Sequence, residues 1–202
     1  MTAPAETLKN QNLVRAYALT LGIILLSLTF ANVAHADEQE QVTRNFLTGS
    51  GLLCSLPPDD RGAACPDVSR ASNGDTVSLA GTGTFTPGDD DAEGSGTFTH
   101  TNAAGAVLAH GTWNAEELVS FVSFGSGSAQ GLPSNFEGGV AVLKVELHPS
   151  SGGEVKAVLL ISCALGTPPA GTFEGITLHV KGFLNFNTPV SGFTLFIQVA
   201  ED

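Results

Sequence analysis

A chain of 202 residues with 20 Asp and Glu against 8 Lys and Arg carries a formal net charge of −12 at pH 7. Such an acidic surface repels phosphate backbones and anionic headgroups, which argues against nucleic acid and acidic lipid surfaces as partners. Three cysteines follow the leader without Cys-x-x-Cys or His-x-x-x-His spacing, which argues against a zinc site, and no cofactor motif is present.

Residues 1–36 read as a secretory signal peptide. Lys9 and Arg15 supply a positive n-region, Ala16 to Phe30 an apolar run, and Ala34-His35-Ala36 a small-x-small cleavage site. The run is shorter than the roughly 20 residues that a spanning helix needs. Cleavage before Asp37 releases a secreted or periplasmic chain without an integral membrane segment. Asp37, not Cys, stands directly after the cleavage point and no Arg-Arg pair precedes the run, so neither a lipid anchor nor twin-arginine export is expected.

Residues 37–72 mix charges, Pro and Gly with short apolar pieces, and read as an irregular N-terminal segment with room for one short strand or helical turn. Export permits disulfides. Cys54 and Cys65 flank a loop containing Pro57-Pro58-Asp59-Asp60, and a bridge closing it could stabilise by roughly 3 kcal/mol in the chain-entropy model. A Cys54–Cys65 bridge is the first expectation; a bridge from either to Cys163, or none, is the alternative.

Residues 73–202 read as a β-barrel-like domain, and from Asp75 onward the pattern turns to period two. A Gly-Thr-aromatic triplet recurs at Gly83-Thr84-Phe85, Gly96-Thr97-Phe98 and Gly111-Thr112-Trp113, the pitch of a strand, a turn and the next strand. Strands are expected over 76–86, 95–101 and from 106 onward. The stretch 106–124 is too long for an ordinary strand, so a break or bulge near Asn114-Ala115-Glu116 is favoured. Strands follow over 140–147, 155–163, 176–186 and 192–199. Ala141, Leu143, Val145 and Leu147 share one inward face, Val155, Ala157, Leu159, Ile161 and Cys163 another. Phe193, Leu195, Ile197 and Val199 are expected inward on the last strand. The fold class is all-β: an antiparallel meander of seven or eight strands, closed into a barrel, with a β-sandwich as the alternative.

A second repeat bears on function. Phe136-Glu137-Gly138 and Phe173-Glu174-Gly175 each precede a strand, and the intervening hairpin puts both at one end of the sheet. Paired carboxylates there could act as acid and base or hold a cation; as structural groups they would cap loop N–H groups while the phenylalanines plug the end. A fourth triplet, Gly171-Thr172-Phe173, runs into this rim. Phe136, Glu137, Phe173 and Glu174, with Trp113, form the expected ligand-facing set. Glu137, Glu174 and His100 are the candidate catalytic residues, and His100 joins the rim only if 106–124 forms two strands. Asp89, Asp91 and Glu93 precede Gly94 with the spacing that starts a calcium loop, but the twelfth position is His100 instead of Glu. No Gly-x-Ser-x-Gly nucleophile motif occurs.

Gly111-Thr112-Trp113 resembles the Gly-x-Trp of lipocalins, here well inside the meander rather than on its first strand. The stretch 138–175, with Val142-Leu143-Lys144-Val145, Ile161-Ser162-Cys163 and Phe173-Glu174-Gly175-Ile176, resembles a group of secreted bacterial proteins. That resemblance implies a shared β-fold and no known activity. Allene-oxide-cyclase and dirigent barrels are similar in architecture, with no catalytic residue carried over. The expectation is a secreted, non-enzymatic protein that binds a small, largely apolar ligand. A barrel isomerase, cyclase or lyase using the rim carboxylates is the second reading, and an extracellular structural or adhesive protein the third.

Overall fold

A computed structural model describes residues 42–60 and 62–199. The expected signal peptide and its cleavage site lie outside these residues. Among the described residues no helix is long and apolar enough to cross a membrane.

Ten strands form one antiparallel sheet: β1 (Arg44–Thr48), β2 (Asp67–Ala71), β3 (Thr76–Phe85), β4 (Ala92–Thr101), β5 (Val107–Ser126), β6 (Phe136–Pro149), β7 (Val155–Cys163), β8 (Gly175–Val180), β9 (Asn185–Ser191) and β10 (Thr194–Gln198). Hydrogen bonds close a ring through β2 to β9, because β2 pairs with β9 and β6 with β7. The ring is uneven. Beyond Ala80, β3 leaves β2 and pairs with β1; β1 pairs with β10, and β10 reaches the first two residues of β6. One half is therefore an eight-stranded ring, and in the other β1 and β10 replace β2, β7, β8 and β9. Every strand finds a partner on both sides along at least part of its length, which leaves no whole edge free for strand addition.

The count exceeds the expected seven or eight for two reasons. The N-terminal segment, read as irregular, contributes β1, a 3-10 turn (Gly51–Ser55) and β2. In β1, Arg44, Phe46 and Thr48 are buried while Asn45 is exposed, an alternation too short to stand out in sequence. The expected strand 176–186 is instead two strands joined by a tight hairpin with Gly182 at φ 73°, and the expected turn at Asn187 to Ser191 belongs to β9.

Residues 107–126 form one continuous strand, not two. Three register shifts against β6, at Glu116, Val119 and Phe124, each insert one unpaired residue. The buried positions are accordingly Trp113, Leu118 and Phe121, and the local period departs from two. In β6 and β7 no such shift occurs, and the predicted faces are the observed ones: Ala141, Leu143, Val145, Leu159 and Ile161 are fully buried. On β10 the last expected face is partly reversed. Phe196 is fully buried beside Leu195, while Val199 is exposed, because β10 has one side on the aromatic core and the other under the loops.

The half of the sheet completed by β1 and β10 is filled. Phe46, Phe85, Phe121, Phe196 and Trp113 pack in contact, with neighbouring ring centroids 5.0 to 6.4 Å apart. The triplet glycines make the space: a Cβ on Gly96 would lie 1.9 Å from the Ala80 carbonyl and 2.6 Å from the Trp113 indole nitrogen.

Candidate functional site

The rim built from the Phe-Glu-Gly repeat is present, but its two carboxylates are occupied. Glu137 lies inside β6, not in a loop, and is 2% exposed. It receives Nε of Arg44 at 2.9 Å and Nη2 at 3.4 Å, Nε2 of Gln198 at 3.2 Å, and the Ser123 hydroxyl. The Arg44 guanidinium sits 5.1 Å over the Phe121 ring. The buried charge thus has an opposite charge and hydrogen bonds on both oxygens, the condition for tolerating it away from water. Glu174 caps the neighbouring loops. It accepts from the backbone N–H of Ala164 at 2.6 Å and of Thr194 at 2.8 Å, and from the Thr194 hydroxyl at 3.0 Å. Neither carboxylate is held ready for proton transfer. The Arg44 guanidinium that pairs with Glu137 rests on the aromatic cluster of Phe85, Phe121 and Phe196.

An apolar groove of about 390 Å³ runs beside Glu174. Leu53, Phe136, Leu165 and Phe193 line it, and Cys163 lies at its floor. Phe173 lies nearby, half-buried, its carbonyl taken by the Ser162 hydroxyl at 2.6 Å. Cys54 and Cys65 form the disulfide expected from their spacing, with Cα atoms 5.2 Å apart, and Cys163 is the buried free thiol.

Burial, reinforced by the Glu174 carboxylate, pushes the Cys163 thiol up to about 12. The raised value keeps the thiol neutral in the fold. Its contribution to stability is complete below the unfolded value of about 8.5 and is lost as pH rises toward the folded value. Native protein is expected not to react with an aromatic disulfide reagent at mildly alkaline pH, whereas guanidinium-unfolded protein releases one equivalent of thiolate. Stoichiometric reaction of the native thiol would show that the groove floor is open to the reagent.

His100 is at the opposite end of the ring. Because β5 is unbroken, β4 ends where β5 begins, far from the end of β5 that pairs with Glu137. There the strands line a partly open apolar cavity of about 310 Å³. Val77, Phe98, Ala109, Leu147, Val180 and Phe186 contribute to its wall, and Phe183, 65% exposed, stands at its lip. His100 is the one side chain on the wall with a polar atom. It is 7% exposed, and Nε2 lies 3.0 Å from Oδ2 of Asp75. Asp75 sits in the β2–β3 turn; its Oδ1 accepts from the Ala103 N–H at 3.2 Å, and its own N–H donates to Asn73 at 3.1 Å. The hydrogen bond from His100 holds the Asp75 carboxyl below its ordinary value, with lesser help from Asn73 and Ala103 against the opposing effect of burial. Phe186 and Phe183 meet the imidazole edge-on at 5.3 and 5.7 Å and fix its plane.

Other expected positions fall elsewhere. Trp113 is not at a rim: it is fully buried, stacked on Phe46, and its indole N–H donates to the Ala80 carbonyl at 3.3 Å. Its inward place follows from the register with Gly96 and Leu147. Asp89, Asp91 and Glu93 are exposed, and Glu93 already belongs to β4, where strand alternation separates it from a loop ligand set. Among the described residues, the group that gathers three possible metal-ligating side chains is Glu146, His148 and Glu154, with ligand atoms within 4.8 Å of one another. The Lys156 ammonium already pairs with Glu146 and holds its carboxyl below the usual range. Asp75 and Arg44 are the residues that sequence reasoning missed. Asp75 had the signal of an acidic residue directly before a strand whose partner carries the histidine. Arg44 had only the alternation of β1.

No protein-family model, curated protein or solved structure matches this chain.

Proposed function

We propose that this protein is exported and binds a small, largely apolar molecule, without transforming it, in the cavity at the His100 end of the ring. The observation that carries the reading is the cavity itself: about 310 Å³ of space with an apolar wall and one convergent polar group. That is the lower end of the range for small-molecule sites and matches their usual chemistry. A closed sheet favours such a site, because the eight-stranded half is wider than the aromatic-filled half and has no inserted β1 and β10 to occupy it. Two observations weigh against the rival readings. The rim carboxylates are committed to Arg44 and to backbone N–H groups, so acid–base chemistry has no free group there. Each strand is partnered, so assembly by strand addition has no template.

The test is saturable binding of an apolar fluorophore such as N-phenyl-1-naphthylamine, with native mass spectrometry of protein purified from its host to identify the natural ligand. Ala109→Trp places an indole inside the cavity and is expected to weaken binding by about tenfold or more, roughly 1.4 kcal/mol. Leu132→Trp, at the exposed border of the opposite groove, is expected to leave affinity unchanged. Binding that follows Leu132→Trp and ignores Ala109→Trp would place the ligand at the rim instead.

A further inference from the structure

We infer that the ligand of this cavity carries a hydroxyl group, alcoholic or phenolic, that donates a hydrogen bond to Nδ1 of His100. The inference rests on the cavity being the binding site and names the chemistry that the site selects.

Asp75 sets the tautomer of His100. Its carboxylate is acceptor-only when ionised, so the proton between Asp75 and His100 resides on Nε2. A neutral imidazole then presents a lone pair at Nδ1. That nitrogen has no hydrogen-bond partner among the described residues. His100 is buried, and its ring lines the apolar wall. His100 is thus the wall side chain with a polar atom, its ring set by two phenylalanine edges and its Nε2 by a carboxylate that the Ala103 N–H holds in place, which leaves Nδ1 as its acceptor. A ligand with one O–H donor satisfies that acceptor; a purely hydrocarbon ligand leaves it unmet, which costs affinity. An anionic ligand fits poorly. It would bring a second negative charge into an apolar cavity whose histidine is already paired with Asp75.

Three probes of one shape separate the possibilities: 2-naphthol with a donor, 2-methoxynaphthalene without one, and 2-naphthoate with a charge. Titrated against the purified chain near neutral pH, 2-naphthol is expected to bind about tenfold more tightly than its methyl ether. His100→Phe keeps a ring in place and is expected to bind the two alike. Asp75→Asn is a second variant that leaves the imidazole intact. The Ala103 N–H holds the amide oxygen at the Oδ1 position, so the amide nitrogen donates to Nε2 and the imidazole proton moves to Nδ1. That variant is expected to lose the preference for 2-naphthol while still binding the ether. Equal affinity of the wild-type chain for naphthol and ether overturns the hydroxyl inference and leaves apolar binding standing. Tighter binding of 2-naphthoate overturns it in favour of an anionic ligand. Failure of all three probes removes the cavity reading and this inference with it.

Discussion

Arg44→Met is expected to destabilise the fold by about 3–5 kcal/mol, the cost of leaving a buried charge without its partner. Arg44 and Glu137 side chains are 6% and 3% exposed, and the guanidinium meets both carboxylate oxygens. Removing the guanidinium leaves Glu137 with the Ser123 hydroxyl and the Gln198 amide, which satisfy lone pairs but carry no compensating charge. The Phe121 ring loses its cation at the same time. The desolvation of the ions, not their attraction, dominates such a pair. The double variant Arg44→Met with Glu137→Leu is therefore expected to recover most of the loss, since no buried charge remains. Urea unfolding of the three proteins measures this. A loss under 1 kcal/mol in Arg44→Met would show that water reaches the pair in solution.

Gly96→Ala is the second large effect, expected at about 3 kcal/mol from overpacking. The added Cβ would stand 1.9 Å from the Ala80 carbonyl oxygen, a backbone atom of the paired strand β3, and 2.6 Å from the indole nitrogen of Trp113. A flexible side-chain tip could yield at small cost, but here the obstacle is the β3 ladder on one side and a fully buried ring on the other. The protein has a single Trp, so its fluorescence reports the event directly. The native emission is expected to be that of an indole away from water, and to shift red in Gly96→Ala as the ring is displaced. Trp113→Phe relieves the ring contact but not the carbonyl contact. Adding it to Gly96→Ala is therefore expected to restore only part of the stability.

These two predictions concern features of unequal visibility in sequence. Gly96 belongs to a repeated triplet, and a glycine before Thr and an aromatic in a strand already signals close approach. What it approaches is visible only after β5 is laid beside β4. Arg44 gave almost no signal, because five residues of alternation in a charged, Pro- and Gly-rich segment are too few to distinguish a strand from a loop. Hairpin connectivity reverses the chain at each strand, which is why sequence alone assigns both Phe-Glu-Gly repeats to one end of the sheet. The capping of loop N–H groups expected of their carboxylates is seen at Glu174, but the particular partners, from residues 44, 123, 164, 194 and 198, are scattered along the chain and leave no local signal.

His100 shows the same division. Its position depended on whether 107–126 is one strand or two, and three single-residue bulges keep it one. A bulge needs no Gly or Pro, so the local sequence around Glu116 does not distinguish a bulge from a chain reversal. The unbroken strand carries His100 to the far end of the ring. There it meets Asp75 from the β2–β3 turn and a cavity whose walls come from seven strands.

The amino-acid sequence by itself determined the all-β antiparallel class and the buried faces of β6 and β7, and it favoured the Cys54–Cys65 closure that the structure contains. Each of these rests on alternation or on spacing within a few residues. The tertiary structure alone decided that β1 and β10 fill one half of the ring, that the rim carboxylates are spent on ion pairing and loop capping, and that His100, held by Asp75, is the polar side chain on the wall of an apolar cavity. Those outcomes depend on ring closure and on the number of bulges along β5, which join residues far apart in the chain and leave no periodic trace in it.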